Sequence, residues 1–193
     1  MILSESLKEA TNESHIQIGK TEAFSQLLSP SLTKEEYTNI ITGWFHFITK
    51  LEKEYLKLPG IHNIIPDLDE RLKTSLLQKE IQELKINNTS PTIDSTTPEC
   101  TNINQFLGIL YVLEGSTLGA QFITKQLKTN QNLSELSFHF YNGYAKFTTE
   151  KWETFKNSLN TYGQQHINSH QEIIASANAC FVCLSNSINH STK

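Results

Sequence analysis

Residues 110–122 read LYVLEGSTLGAQF, an apolar, helix-forming run with two glycines set into it. Leu110, Leu113, Leu118 and Gln121 favour a helix, yet Gly115 and Gly119 stand four residues apart inside it. A glycine within a helix costs about 1 kcal/mol relative to alanine, mainly through backbone entropy. Gly108 lies seven residues before Gly115, so at about 100° per residue all three fall within roughly 40° of one another. The strip of bare backbone is roughly 16 Å long and invites a close neighbour. Two neighbours fit. One is a second helix crossing tightly, as small residues allow. The other is a flat ligand lying on the main chain, with the glycines also letting the helix bend.

Around this stretch the periodicity is helical almost throughout. Residues 2–19 carry Leu3, Leu7, Ala10 and Ser14 as one stripe at helical spacing. Residues 22–29 form a short helix that stops before Pro30. Thr33 with Glu36 three residues on reads as a capping box, opening a helix that runs to about Leu58 and ends at Pro59-Gly60. Residues 67–85 predict another helix, and 86–100 a polar loop with two prolines. The central helix covers 102–127, an irregular stretch 128–148, and two last helices 149–163 and 168–189. No alternating strand pattern and no internal repeat interrupts this. The expectation is an all-α fold, a single domain over 1–193 of six to eight helices.

Composition bounds the function. The chain has 193 residues, 37% hydrophobic and 19% charged, with net charge -4, which suits one globular domain. Arginine occurs once, as Arg71, and the lysines form no basic stripe, so no nucleic acid is expected as a partner. The N-terminus lacks an apolar segment of signal-peptide length, and no 18-residue apolar run is present. A cytoplasmic chain with no membrane contact is therefore expected. Three cysteines, an odd number, argue against a disulfide framework and fit a reducing compartment. Cys180 and Cys183, in CFVC, read as buried thiols on an apolar helix. Zinc would need two more ligands, and Cys100, His166 and His170 lack motif spacing.

The first helix supplies a second clue. In 7-LKEATNESHIQIGK-20, Lys8, Thr11 and His15 share one face, beside the apolar stripe. A neutral imidazole there is either a hydrogen-bonded core residue or a metal ligand. Lys8, about 10.5 Å further along the helix, suits an anionic group of the same ligand.

These two stretches together resemble the heme oxygenase family. LKEATNESH is similar to the family's N-terminal segment, whose histidine is the proximal ligand of heme iron. YVLEGSTLGAQ is similar to the distal-helix motif of the bacterial, biliverdin-forming branch, and 71-RLKTSLLQKEIQEL-84 to the segment between them. The resemblance covers roughly the first two thirds of the chain. It implies a heme oxygenase-like multi-helix bundle with a kinked, glycine-containing distal helix. It also implies that heme b is both substrate and cofactor. O2 and an electron donor such as ferredoxin or a reductase would convert it to biliverdin, CO and ferrous iron.

Carried over by position, the resemblance makes His15 the iron ligand and Lys8 a propionate contact, with Thr11 beside them. Gly115 and Gly119 become the distal backbone positions, and Ser116 falls where animal members keep an aspartate that organises distal water. Tyr111 is a candidate for lining the cavity, and Lys151 and Lys156 for C-terminal propionate contacts. The chain departs from the family at three places. Ala120 replaces a glycine. Gly19 stands where many members carry a glutamate bonded to the imidazole. Asn12 occupies a position that is basic in some members. Two alternatives remain open on the residues: a heme-binding or sensing relative without turnover, and a helical interaction module that uses its glycines for packing.

Overall fold

The computed structural model describes residues 2–86 and 96–190. Ten α-helices follow one another among these residues: α1 (Leu3–Ala10), α2 (Asn12–Gly19), α3 (Glu22–Leu27), α4 (Lys34–Tyr55), α5 (Ile61–Ile64), α6 (Thr74–Leu84), α7 (Ile103–Thr129), α8 (His139–Asn142), α9 (Thr148–Gln165) and α10 (His170–His190). No strand occurs among the described residues. The expected loop at 86–100 falls largely on residues 87–95, outside the described ones, and 96–100 are irregular.

Local chemistry sets the helix starts. Glu36 Oε2 accepts from the Thr33 N–H at 2.8 Å while the Glu36 N–H donates to Thr33 Oγ1 at 3.2 Å, completing the expected capping box of α4. Asn102 Oδ1 accepts from the Gln105 N–H at 3.0 Å and starts α7. The broad face of α4 is buried as its pattern requires, through Tyr37, Ile40, Ile41, Trp44, Phe47, Ile48, Leu51 and Tyr55. The long helices α7 and α10 cross within the core. By length and mean hydropathy α7 alone among the described helices reaches the range of a membrane span, and half of that window is buried in the fold.

Two expected helices are divided. The helix over 2–19 is interrupted at Thr11 (φ -102°, ψ 0°), whose hydroxyl donates to the Leu7 carbonyl at 2.7 Å. Such back-bonding competes with regular helix geometry. The helix over 67–85 begins as a 3-10 turn (Leu68–Arg71), and Leu72 is extended before α6 starts. The break turns Arg71 and Lys73 together into the interior. Glu52 on α4 holds it there, accepting from the N–H groups of Lys73 at 2.6 Å and Thr74 at 3.3 Å.

Candidate heme-binding cleft

α1 and α7 start at the same end of the molecule. The Ser4 N–H donates to Asn160 Oδ1 on α9 at 2.9 Å, and Tyr162 on α9 donates to Asn104 on α7 at 2.7 Å. They meet two turns on, where the Tyr111 hydroxyl comes near the buried Thr11 side chain. Beyond that contact, His15 stands one turn past Thr11 on α2, and Gly115 one turn past Tyr111 on α7. Phe181 of α10 presents an edge to the His15 ring, with centroids 6.1 Å apart. Ser14 donates to Asn178 of α10, which in turn donates to the Ala10 carbonyl at 3.3 Å, so α2 is pinned to α10 from both sides of Thr11.

The glycine strip is divided between both of its possible neighbours. A Cβ at Gly108 would stand 2.3 Å from the Ile173 carbonyl oxygen and 2.9 Å from the Ala177 nitrogen. Gly108 thus serves the helix crossing. At Gly119 nothing lies within 4 Å of that place, and at Gly115 only the Trp152 ring does, at 3.7 Å. These two glycines border open space. Apolar side chains around it stay in solvent: Phe122 is 56% exposed, Leu118 42% and Ile16 41%. Exposed apolar surface beside bare main chain suits an apolar ligand. His15 is exposed, and its imidazole makes no hydrogen bond or ion pair among the described residues. Lys8 is likewise exposed and unpaired among them.

Behind Gly115 lies a charged cluster. Glu114 is fully buried in the middle of the apolar run. Its carboxylate accepts from Arg71, from Lys73 Nζ at 2.6 Å and from the Tyr144 hydroxyl at 2.9 Å. Arg71 also donates to Asp67 at 2.7 and 2.9 Å. Burial alone would raise the Asp67 carboxyl, but hydrogen bonds from Arg71 and Lys151 outweigh it and hold the group below its ordinary range. Burial, reinforced by the Glu114 charge, keeps Tyr144 far above the usual tyrosine range, so it remains a donor. Lys73 and Tyr144 line a cavity of about 40 Å³ that reaches Ser116 and Thr117. The Ser116 and Thr117 hydroxyls donate to the carbonyls of Leu113 and Glu114 at 2.7 and 2.6 Å. This is the back-bonding that commonly accompanies helix bending, although α7 is continuous through both glycines.

The sequence matches the heme oxygenase family over residues 1–189. The chain belongs to this family. Solved heme oxygenases share its fold. The cyanobacterial enzyme from Synechocystis, in complex with heme, is 18% identical at a TM-score of 0.77, covering 98% of this chain and 92% of that one. The Leptospira interrogans enzyme is 15% identical at 0.78, covering 98% and 100%. The NO- and CO-bound enzyme from Neisseria meningitidis is 20% identical at 0.78, covering 100% and 92%. No curated protein sequence matches the chain significantly.

Within this heme oxygenase fold the sequence-derived residues fall unevenly. Gly115 and Gly119 border the open region, His15 stands one turn past Thr11 on α2, and Lys8 is exposed on α1 before Thr11. Thr11 is buried and lies near Tyr111, between the two helices. Ser116 faces the cavity on the adjacent side of α7. Lys151 is taken up by Asp67 at 2.9 Å and by Glu70. Lys156 pairs with Glu153 at 2.9 Å and lies over the Trp152 ring. His166 stacks on Tyr162 at 4.1 Å, and His170 bonds the Gly163 carbonyl at 3.0 Å, so this i, i+4 pair does not converge on a metal. No cluster of three metal-binding side chains occurs among the described residues. Cys180 is buried and its thiol pushed well up by burial; Cys100 is pushed up to about 12, again by burial first. Sequence reasoning missed Glu114, its partners and Trp152. The available signals were a lone glutamate inside LYVLEGS and the chain's only arginine.

Proposed function

We propose that the chain is a heme oxygenase that binds heme b and cleaves it to biliverdin, CO and ferrous iron. O2 and an external electron donor, such as ferredoxin or a reductase, complete the reaction. The observation that carries the reading is the pairing of an unpartnered His15 with open backbone at Gly119, one turn or more past the Thr11–Tyr111 contact. The residues present fit the group. The His15 imidazole is free to ligate, the place of a missing Cβ is empty, the surrounding side chains are apolar, and Lys8 is an exposed ammonium, unpaired among the described residues, for a propionate.

When bound, heme supplies the redox-active iron at which O2 is activated. The chain supplies the rest. His15 would hold the iron, with Phe181 limiting the tilt of its ring. Lys8 would hold a propionate. Gly115 and Gly119 keep side chains off the distal face, so the main chain approaches there. Ser116 sits where the cavity meets this helix, and that cavity has room for a water with Lys73 and Tyr144 as partners. With Gly19 in place of an acceptor, that position offers no hydrogen bond to orient the imidazole. That feature favours a second reading, a heme binder without turnover.

A hemin titration followed by ascorbate or ferredoxin with its reductase under air separates the readings. A Soret band should form, fail to form normally in His15→Ala, and decay on reduction as a broad red biliverdin band grows. A Soret band that survives leaves a binder, and its absence in the wild type leaves the helical interaction module.

A further inference from the structure

Trp152 is the one side chain that reaches the bare backbone at Gly115. Its six-membered ring edge stands 3.7 and 3.8 Å from the place of a Gly115 Cβ. At that distance a methyl group would make an ordinary contact, so packing within the chain does not call for glycine at 115. The indole is fixed from several sides. Tyr111 packs on it at 5.6 Å between centroids, Phe155 at 5.8 Å, and the Lys156 ammonium lies over it at 5.8 Å. The open stretch of α7 therefore has a closed end at Gly115 and an open one past Gly119, where Phe122 is exposed.

We propose that Trp152 is a positioning residue that sets how a flat macrocyclic ligand is seated in its own plane over α7. This rests on the reading of the chain as a heme binder. A planar ring sliding along the glycine backbone meets the indole edge as an end stop. Edge contacts between aromatic systems have a preferred geometry, so the rim that abuts Trp152 is selected among the non-equivalent edges of the macrocycle. An iron ligand at the centre, such as His15, cannot make that selection, because rotation about its bond leaves ligation unchanged. Trp152 acts at the rim and touches neither the iron ligand nor the cavity beside Ser116 in this structure.

The test uses the full chain loaded with hemin and cyanide, and reads the ring-methyl proton resonances of the ferric complex, which report in-plane seating without turnover. Trp152→Ala should change the ratio of seatings by roughly 2–10-fold, the factor an aromatic edge contact carries. Trp152→Phe should restore most of the wild-type pattern. The regioisomers of the cleaved product should shift in parallel. An unchanged methyl pattern in Trp152→Ala overturns the proposal and leaves the heme oxygenase reading standing. Loss of hemin binding in a folded Trp152→Ala overturns it too, assigning the indole to affinity instead of seating. Should Trp152→Ala fail to fold, Trp152→Leu takes its place, and an unchanged pattern or lost binding in that variant overturns the proposal in the same way. Failure of the wild-type chain to bind hemin refutes the underlying reading, and the proposal falls with it.

Discussion

Replacing Gly108 and Gly119 by alanine, one at a time, should move the stability of the ligand-free chain in opposite directions. Both glycines sit inside α7, so each substitution removes the same backbone-entropy penalty, about 0.5–1 kcal/mol. At Gly119 nothing lies within 4 Å of the added methyl, and the gain should appear in full. At Gly108 the methyl would stand 2.3 Å from the Ile173 carbonyl oxygen, where ordinary contact needs about 3.3 Å. The neighbour is backbone of α10, so the two long helices must part by about 1 Å. Overpacking of this kind costs about 1–3 kcal/mol or more, which exceeds the entropy gain. For a domain of this size 1 kcal/mol is about 2–4 °C in Tm. Differential scanning calorimetry of the apoprotein should therefore show Gly119→Ala melting about 1–4 °C above wild type and Gly108→Ala several degrees below it. Gly108→Ala melting at or above wild type would refute the division of the strip, as would Gly119→Ala melting below it. On the proposed reading the same Gly119→Ala protein should bind hemin more weakly, because the stabilising methyl would stand where the ligand is proposed to lie.

Three further outcomes follow from the packing. Glu114→Ala leaves Arg71 and Lys73 buried without their shared partner, and should cost about 3–5 kcal/mol in urea titration. Thr33→Ala removes the cap of α4 and should cost about 1 kcal/mol by the same measurement. Asp67 has a folded pKa below its unfolded one. Its contribution is complete above the unfolded value and is lost as pH falls through the folded one, so Asp67→Asn should flatten the acid limb of stability between roughly pH 5 and pH 2.

Much of this architecture is legible along the chain because it depends on neighbours a few residues apart. The α4 helix and its Thr33–Glu36 box are local, and both appear, the helix ending at Tyr55. The Lys8, Thr11, His15 face is local too, and it brings the three residues to one side. What each does there is not local. Thr11 is buried near Tyr111, a hundred residues away. The glycine strip looks uniform in sequence, and only the course of α10 separates Gly108 from Gly115 and Gly119. The break at Leu72 is hidden because Leu68, Leu72 and Leu76 keep helical spacing. Two buried cations decide it, through a carboxylate on a distant helix.

That carboxylate has a consequence for how the protein can change over generations. Glu114 meets Arg71 and Lys73 across 43 and 41 positions of sequence, and among the described residues Lys73 has no carboxylate but this one. Loss of either cation leaves Glu114 paired with the other, and Arg71 keeps Asp67, whereas loss of Glu114 alone strands the Lys73 ammonium in the interior. Glu114 should therefore be exchanged only together with Lys73. In an alignment of relatives, positions 73 and 114 should vary together even where the residues around the cleft differ.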